Sequence, residues 1–163
     1  MDEAKFKKLA ALFETRVPFV AFLGMHFASV ASGSVRMTVP FRPDLIGNPT
    51  IPALHGGVVA ALLDTCGGAA VWSQIGELDQ VSTVDLRVDY LRPARPERLV
   101  GTARVIRLGN RVGVVELRAY HPGASDKPIA VGTGVYNIKR QRAGGAGGLE
   151  ALVERDTPPR PAS

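Results

Sequence analysis

A lone carboxylate, Asp64, stands inside the apolar run LHGGVVAALLDTCGGAAVW, residues 54–72, nine residues after His55. An unpaired charge in such a setting must find a partner, shift its pKa or take part in chemistry. If the run is helical, positions three and four away share the face of Asp64, and these are Ala60, Ala61, Gly67 and Gly68. All are small, whereas Val58, Leu62, Leu63, Val71 and Trp72 put bulk elsewhere on the helix. Two arrangements fit: close packing of helix on sheet with Asp64 satisfied by a backbone donor, or a slot held open beside a carboxylate for a substrate.

His55-Gly56-Gly57 opens the same run. Free backbone N–H groups and the positive end of the helix dipole gather at such a start, which suits an oxyanion, and glycines let a ligand approach the backbone closely. A plain capping turn is the competing reading. Nine residues put His55 and Asp64 half a turn out of phase, so they are poor joint ligands for a metal, and no H-E-x-x-H spacing occurs. Cys66 points to another face, has no evident base and reads as a buried, inert thiol. His26 and His121 lie alone in strand or turn contexts and read as structural. Ser82 and Thr83 open STVDLRVDY, and one of them alternates to the inner face, where a hydroxyl near Asp64 can hold a water; equally, Thr is a good strand former. There is no G-x-S-x-G elbow, P-loop or G-x-G-x-x-G, and the late GGAGG lacks the strand and lysine of a phosphate cradle.

Elements must hold these residues in place. At 163 residues, 45% hydrophobic and 21% charged, the chain has the size and composition of one globular domain. From His55 to about Ile75 there is no proline and little polarity, which predicts one long helix spanning ~30 Å. After it come QVSTVDLRVDYLR, RLVGTARVIRL, RVGVVELRAYH and KPIAVGTGVYNIKR, four strand candidates whose short connections imply antiparallel neighbours. Before it, residues 22–31 and 33–41 predict a hairpin turning at Ser32-Gly33, and RPDLIGNPTIPA a loop. A helix apolar nearly all round must be covered on several sides. The expected class is therefore α+β, an antiparallel sheet of about six strands curled round the helix at 55–75. An N-terminal amphipathic helix is expected at about 3–16, with Phe6, Leu9, Ala10, Phe13 and Val17 on one stripe, ending before Pro18. A single domain is expected over 1–139, with 140–163 as a Gly/Pro-rich C-terminal extension.

The formal charge of +5 suits an anionic partner, but the basic residues are scattered and 6% aromatic content offers no stacking platform, so no nucleic-acid partner is expected. One cysteine excludes an internal disulfide framework and fits the cytoplasm. The acidic, amphipathic MDEAKFKKLAALFETR lacks the pattern of a secretory signal. Asp64 and the glycines interrupt the longest apolar run, so no membrane insertion is expected.

Asn48 in the loop, HGG at 55–57, an acidic residue nine after the histidine, TVDLRVDYLRPA at 83–94 and the GNR turn at 109–111 together resemble the hotdog-fold acyl-CoA thioesterases, in the PaaI-like branch of the 4-hydroxybenzoyl-CoA thioesterase superfamily. The resemblance covers roughly residues 20–139. It implies a hotdog fold, two subunits paired into one continuous sheet, and active sites at their interface. In that arrangement the N–H of Gly57 polarises the thioester carbonyl while Asp64 from the opposing subunit acts as nucleophile or general base. Thr83 matches the strand hydroxyl that orients water or the carboxylate, and His55 the motif histidine, in a positioning or structural role. The slot lined by Gly56, Ala60, Ala61, Gly67 and Gly68 would take the thioester. Two positions depart from the pattern: the polar loop residue falls on Pro49, with Asn48 one further back, and a hydroxyl found one helical turn after the carboxylate is replaced by Gly68, leaving that role to Thr83.

Thioester hydrolysis needs an oxyanion donor and a base or nucleophile, with no metal and no cofactor beyond the CoA of the substrate itself. Rim arginines, Arg92, Arg95, Arg107 and Arg111, would meet the CoA phosphates. The expectation is a cytoplasmic homo-oligomeric acyl-CoA thioesterase, a homodimer or a homotetramer built as a dimer of dimers, releasing CoA and a carboxylic acid. The alternatives are a hotdog enoyl-thioester hydratase or dehydratase using His55, and a non-catalytic acyl-CoA-binding module in which Asp64 is structural.

Overall fold

Alternating apolar residues give the four long strands an inward face, buried on three of them and half-buried on the fourth, and the computed structural model, which describes residues 3–76 and 79–140, wraps those faces round a single helix. The elements in chain order are α1 (Glu3–Arg16), α2 (Pro18–Leu23), β1 (His26–Ala31), β2 (Ser34–Val39), β3 (Ile46–Asn48), β4 (Ala53–Leu54), α3 (Gly56–Trp72), β5 (Gln80–Tyr90), β6 (Leu99–Leu108), β7 (Val112–Tyr120) and β8 (Ala130–Lys139). Six strands form one antiparallel sheet in the order β1-β2-β6-β7-β8-β5, and β3 and β4 form a separate small pair. This is the α+β hotdog architecture, with α3 lying across β2, β6, β7, β8 and β5.

Alternation is clearest on β2, where Val35, Met37 and Val39 face inward, and on β7, where Val115, Leu117 and Ala119 do. They meet Leu62, Leu63, Cys66, Ala69, Ala70 and Val71 of α3, all buried. Glycines 67 and 68 in the helix interior each cost about 1 kcal/mol relative to alanine. Full burial of a leucine contributes about 1.5–3 kcal/mol, so tertiary packing rather than propensity holds α3 together.

The N-terminal helix falls where the spacing predicts, with Phe13 edge-on to Phe27 at 5.8 Å and the Glu14 carboxylate accepting the Phe27 N–H at 2.8 Å. Residues 22–25 do not extend the first strand. Leu23 ends α2, which starts with Pro18 in its first turn and stops at Gly24 in the left-handed conformation, φ 64°. Proline at the start and glycine past the end is the ordinary signature of a short helix. The expected loop at 42–53 carries a 3-10 turn and the β3–β4 pair. Of the expected extension at 140–163, all but Arg140 lies outside the described residues.

Candidate active site

His55 is the N-cap of α3: extended at φ −61°, ψ 134°, it accepts the Gly57 N–H on Nδ1 at 2.9 Å. The donor that the family resemblance assigns to a thioester carbonyl is thus engaged by the imidazole of its own chain. Both residues are exposed, and a carbonyl oxygen can take that N–H only by displacing the imidazole. Behind them Gly47 lets the β3 segment approach closely, since a Cβ there would lie 2.6 Å from the His55 Cα.

Two turns further on, Asp64 is half-buried. Thr83 of β5 donates its hydroxyl to Asp64 Oδ1 at 2.8 Å, and the Tyr136 hydroxyl of β8 reaches the Asp64 backbone carbonyl at 3.1 Å and Oδ1 at 3.4 Å. A β-bulge produces the first contact. The β5–β8 register shifts between Thr83 and Asp85, leaving Val84 as the extra residue. Val81 and Thr83 before the bulge, and Leu86 and Val88 after it, can then share the inner side despite their opposite parity. Ser82 is exposed.

Gly57 and Asp64 are seven residues apart, which is 20° short of two full turns, so they share a face about 10 Å apart along the axis. Ala60, Ala61, Thr65 and Gly68 complete that incompletely covered stripe. A carbonyl held by an oxyanion donor and approached by a carboxylate oxygen needs the two roughly 6 Å apart. The backbone separation of Gly57 and Asp64 within one chain exceeds that span. Gly67, expected in the open slot, is buried instead: the Tyr136 phenol fills the space where its Cβ would be. Gly68 remains on the open side.

Gly56 and Arg92 line a cavity of about 350 Å³ with Leu54, Val59, Tyr90 and Ile129 at the helix start. Tyr90 closes one wall by donating its hydroxyl to the Gly56 carbonyl at 2.8 Å. Arg111 does not converge on this cavity. Its turn leads into Gly113, which packs on Val71, about 22 Å along α3 from Gly56. Arg95 pairs with Glu97 at 3.0 Å. Asn48 turns its side-chain carbonyl into its own loop, accepting the Thr50 and Ile51 N–H groups at 2.9 and 3.4 Å, and contacts neither Gly57 nor Asp64.

The other two histidines are structural by geometry. His26 meets Glu14 at 3.2 Å, while buried His121 accepts the Arg95 N–H on Nε2 and donates from Nδ1 to the Arg98 carbonyl. Burial pushes the Cys66 thiol far above its ordinary range, as an inert core thiol requires. Among the described residues no three His, Cys, Asp or Glu side chains gather as metal ligands, and no helix is long and apolar enough to cross a membrane. Sequence reasoning missed Tyr136 and Tyr90. The available signal for Tyr136 was GTGVY, a large aromatic two residues from a glycine on the same strand face, but its partner Gly67 shows only once β8 is laid against α3.

An antiparallel sheet rolled round one helix is the hotdog architecture, and here a carboxylate lies midway along that helix with a glycine pair at its start. Residues 52–125 match the thioesterase superfamily. The medium/long-chain acyl-CoA thioesterase YigI of Escherichia coli K12 is 32% identical over 149 residues, covering 83% of this chain and 95% of YigI. A solved structure from Shewanella oneidensis, related to the thioesterase superfamily, matches with a TM-score of 0.72 at 34% identity over 80% of this chain and 93% of its own. A thioesterase family protein from Silicibacter pomeroyi matches with a TM-score of 0.75 at 29% identity over 83% and 98%. The chain belongs to the thioesterase superfamily and is a thioester hydrolase.

Proposed function

We propose that the protein hydrolyses acyl-CoA thioesters at sites shared between two copies of the chain, with Gly57 from one and Asp64 from the other. One observation carries this reading: the stripe from Gly57 through Ala60, Ala61 and Asp64 to Gly68 is incompletely covered and flanks β5, an eleven-residue strand at the sheet edge. Such an edge, with Val84 64% exposed, invites strand pairing. Two-fold pairing of β5 with itself would set two α3 helices side by side and antiparallel. The Gly57 of each would then face the partner's Asp64, and the spacing that one chain cannot supply would come from two.

In that site the thioester oxygen takes the Gly57 N–H, displacing the His55 imidazole, and the helix N-terminus stabilises the developing oxyanion. Asp64, oriented by Thr83, either attacks the carbonyl carbon or removes a proton from an attacking water. In both routes the carbon–sulfur bond breaks and CoA leaves as its thiolate. Along the nucleophilic route the acyl–Asp64 anhydride is then hydrolysed, and single turnover in H2 18O puts the label in Asp64 if water attacks the aspartyl carbonyl. Arg92 at the cavity rim suits the CoA phosphates; the rest of the reaction calls on no metal and no cofactor. The similarity to YigI makes medium- and long-chain acyl-CoA the first substrates to try.

The test is thiol release across a panel of aliphatic and aromatic acyl-CoAs, with Asp64→Asn measured alongside. Turnover by the parent and a loss of about 100-fold or more in the variant are expected. Equal rates for both would remove Asp64 from the mechanism. Loss of enoyl-CoA absorbance without thiol release would indicate a hydratase, and CoA binding without turnover of any acyl chain would indicate a binding module.

A further inference from the structure

Tyr136 is 1% exposed, one of the largest fully buried side chains. Its ring is accommodated by two glycines on different elements. A Cβ at Gly134 would lie 2.5 Å from Cε2 and 2.7 Å from the hydroxyl, and one at Gly67 would collide with the hydroxyl itself. The phenol thus reaches α3 only because both positions lack side chains. Inside the core a tyrosine hydroxyl needs a partner, and both acceptors recorded for it belong to Asp64.

The acceptor arrangement separates the two carboxylate oxygens. Oδ1 receives the Thr83 hydroxyl at 2.8 Å from one side and stands 3.4 Å from the Tyr136 hydroxyl on the other. Among the described residues no donor is recorded at Oδ2. Burial first, and then the neighbouring Asp64 charge, push the Tyr136 phenol far above its ordinary range, so it remains a donor at any working pH. Cys66 is the other titratable group beside it, and it stays a thiol.

We infer that Tyr136 is a positioning residue for Asp64: with Thr83 it holds Oδ1, orienting the carboxylate so that Oδ2 is the oxygen presented to the thioester or its attacking water. The inference rests on the reading of Asp64 as the reacting group. The phenol has one proton and stands between the Asp64 backbone carbonyl at 3.1 Å and Oδ1 at 3.4 Å; were that proton given to the carbonyl alone, loss of the hydroxyl would leave catalysis untouched.

Tyr136→Phe keeps the ring between the two glycines and removes only the hydroxyl. On the full chain it should lower kcat about tenfold, the scale of one hydrogen bond to a charged group, with KM within about twofold and the melting temperature little changed. Site-specific 3-fluorotyrosine at 136, a stronger donor of nearly the same shape, should keep at least wild-type kcat. Wild-type kcat in Tyr136→Phe, beside an inactive Asp64→Asn, would overturn this inference alone. A lower kcat with a fallen melting temperature, and a 3-fluorotyrosine protein no more active than Tyr136→Phe, would do the same, by making the role structural. Wild-type turnover in Asp64→Asn would instead overturn the reading of Asp64, and this inference with it.

Discussion

Thr83 Oγ1 donates to Asp64 Oδ1 at 2.8 Å, across the junction between the edge strand β5 and the helix it partly covers. The bulge at Val84 makes the contact compatible with Leu86 and Val88 also packing on the core. The strand is locally irregular at the point where it serves the carboxylate, as bulges beside functional sites often are.

Replacing Thr83 by Val keeps the branched shape and removes the donor. With the side chain exposed, the folded state should lose less than about 1 kcal/mol in denaturant titration, while kcat should fall about tenfold. An unchanged kcat would show that Asp64 is held in place without this hydroxyl.

His55→Ala should destabilise the chain by about 1 kcal/mol, the usual cost of losing an N-cap side chain, because the Gly57 N–H loses its partner. His55→Asn, which supplies another capping acceptor, should recover most of that loss. Urea midpoints of the three proteins decide it, and equal midpoints would mean that the imidazole contributes nothing to the start of α3.

Neighbouring glycines of α3 should respond with opposite sign to the same change. Gly67→Ala collides with the Tyr136 hydroxyl, and the crowding should outweigh the better helix propensity for a net loss of about 1–2 kcal/mol. At Gly68 the added carbon finds the same ring at an ordinary 3.7 Å, and Gly68→Ala should gain up to about 1 kcal/mol. Thermal unfolding of both variants checks the ordering; equal shifts would remove the steric account of Gly67.

In sedimentation equilibrium the protein should run at twice or four times its 17.3 kDa chain mass, because the proposed site draws Gly57 and Asp64 from two copies paired at the β5 edge. A monomer at micromolar concentration would contradict that.

Most of the fold was legible in the sequence because the long strands turn an apolar face toward the helix and period-two patterning records it. The four strands after the helix begin and end within a few residues of expectation, as does α3. Residues 18–23 were harder: PFVAFL is apolar at every position, carries no period, and only Pro18 and Gly24 mark it as helix. Among site residues, Asp64 stood out in the sequence as the one charge inside an apolar helix, whereas alternation left Ser82 and Thr83 open, because the bulge at Val84 breaks the parity with Leu86 and Val88; only the family resemblance singled out Thr83. Tyr136 was not legible, for its contact depends on pairing β8 with β5 and β7 and on two glycines making way. Arg92 and Arg111 looked alike as rim arginines, and only the strand order puts them at opposite ends of α3. Asn48 was placed in the right loop, but its side chain satisfies that loop rather than the site.

Subunit complementation tests the shared site most directly. Asp64→Asn removes the carboxylate, and Gly57→Pro removes the N–H in the first helical turn, where proline is tolerated; each variant alone should be nearly inactive in thiol release. Unfolded, mixed in equal amounts and refolded together, they should regain about one quarter of wild-type activity, because half of the dimers are mixed and each mixed dimer holds one intact site. A mixture no more active than its components, with mixed dimers shown to form by mass spectrometry, would contradict a site built from Gly57 of one chain and Asp64 of the other.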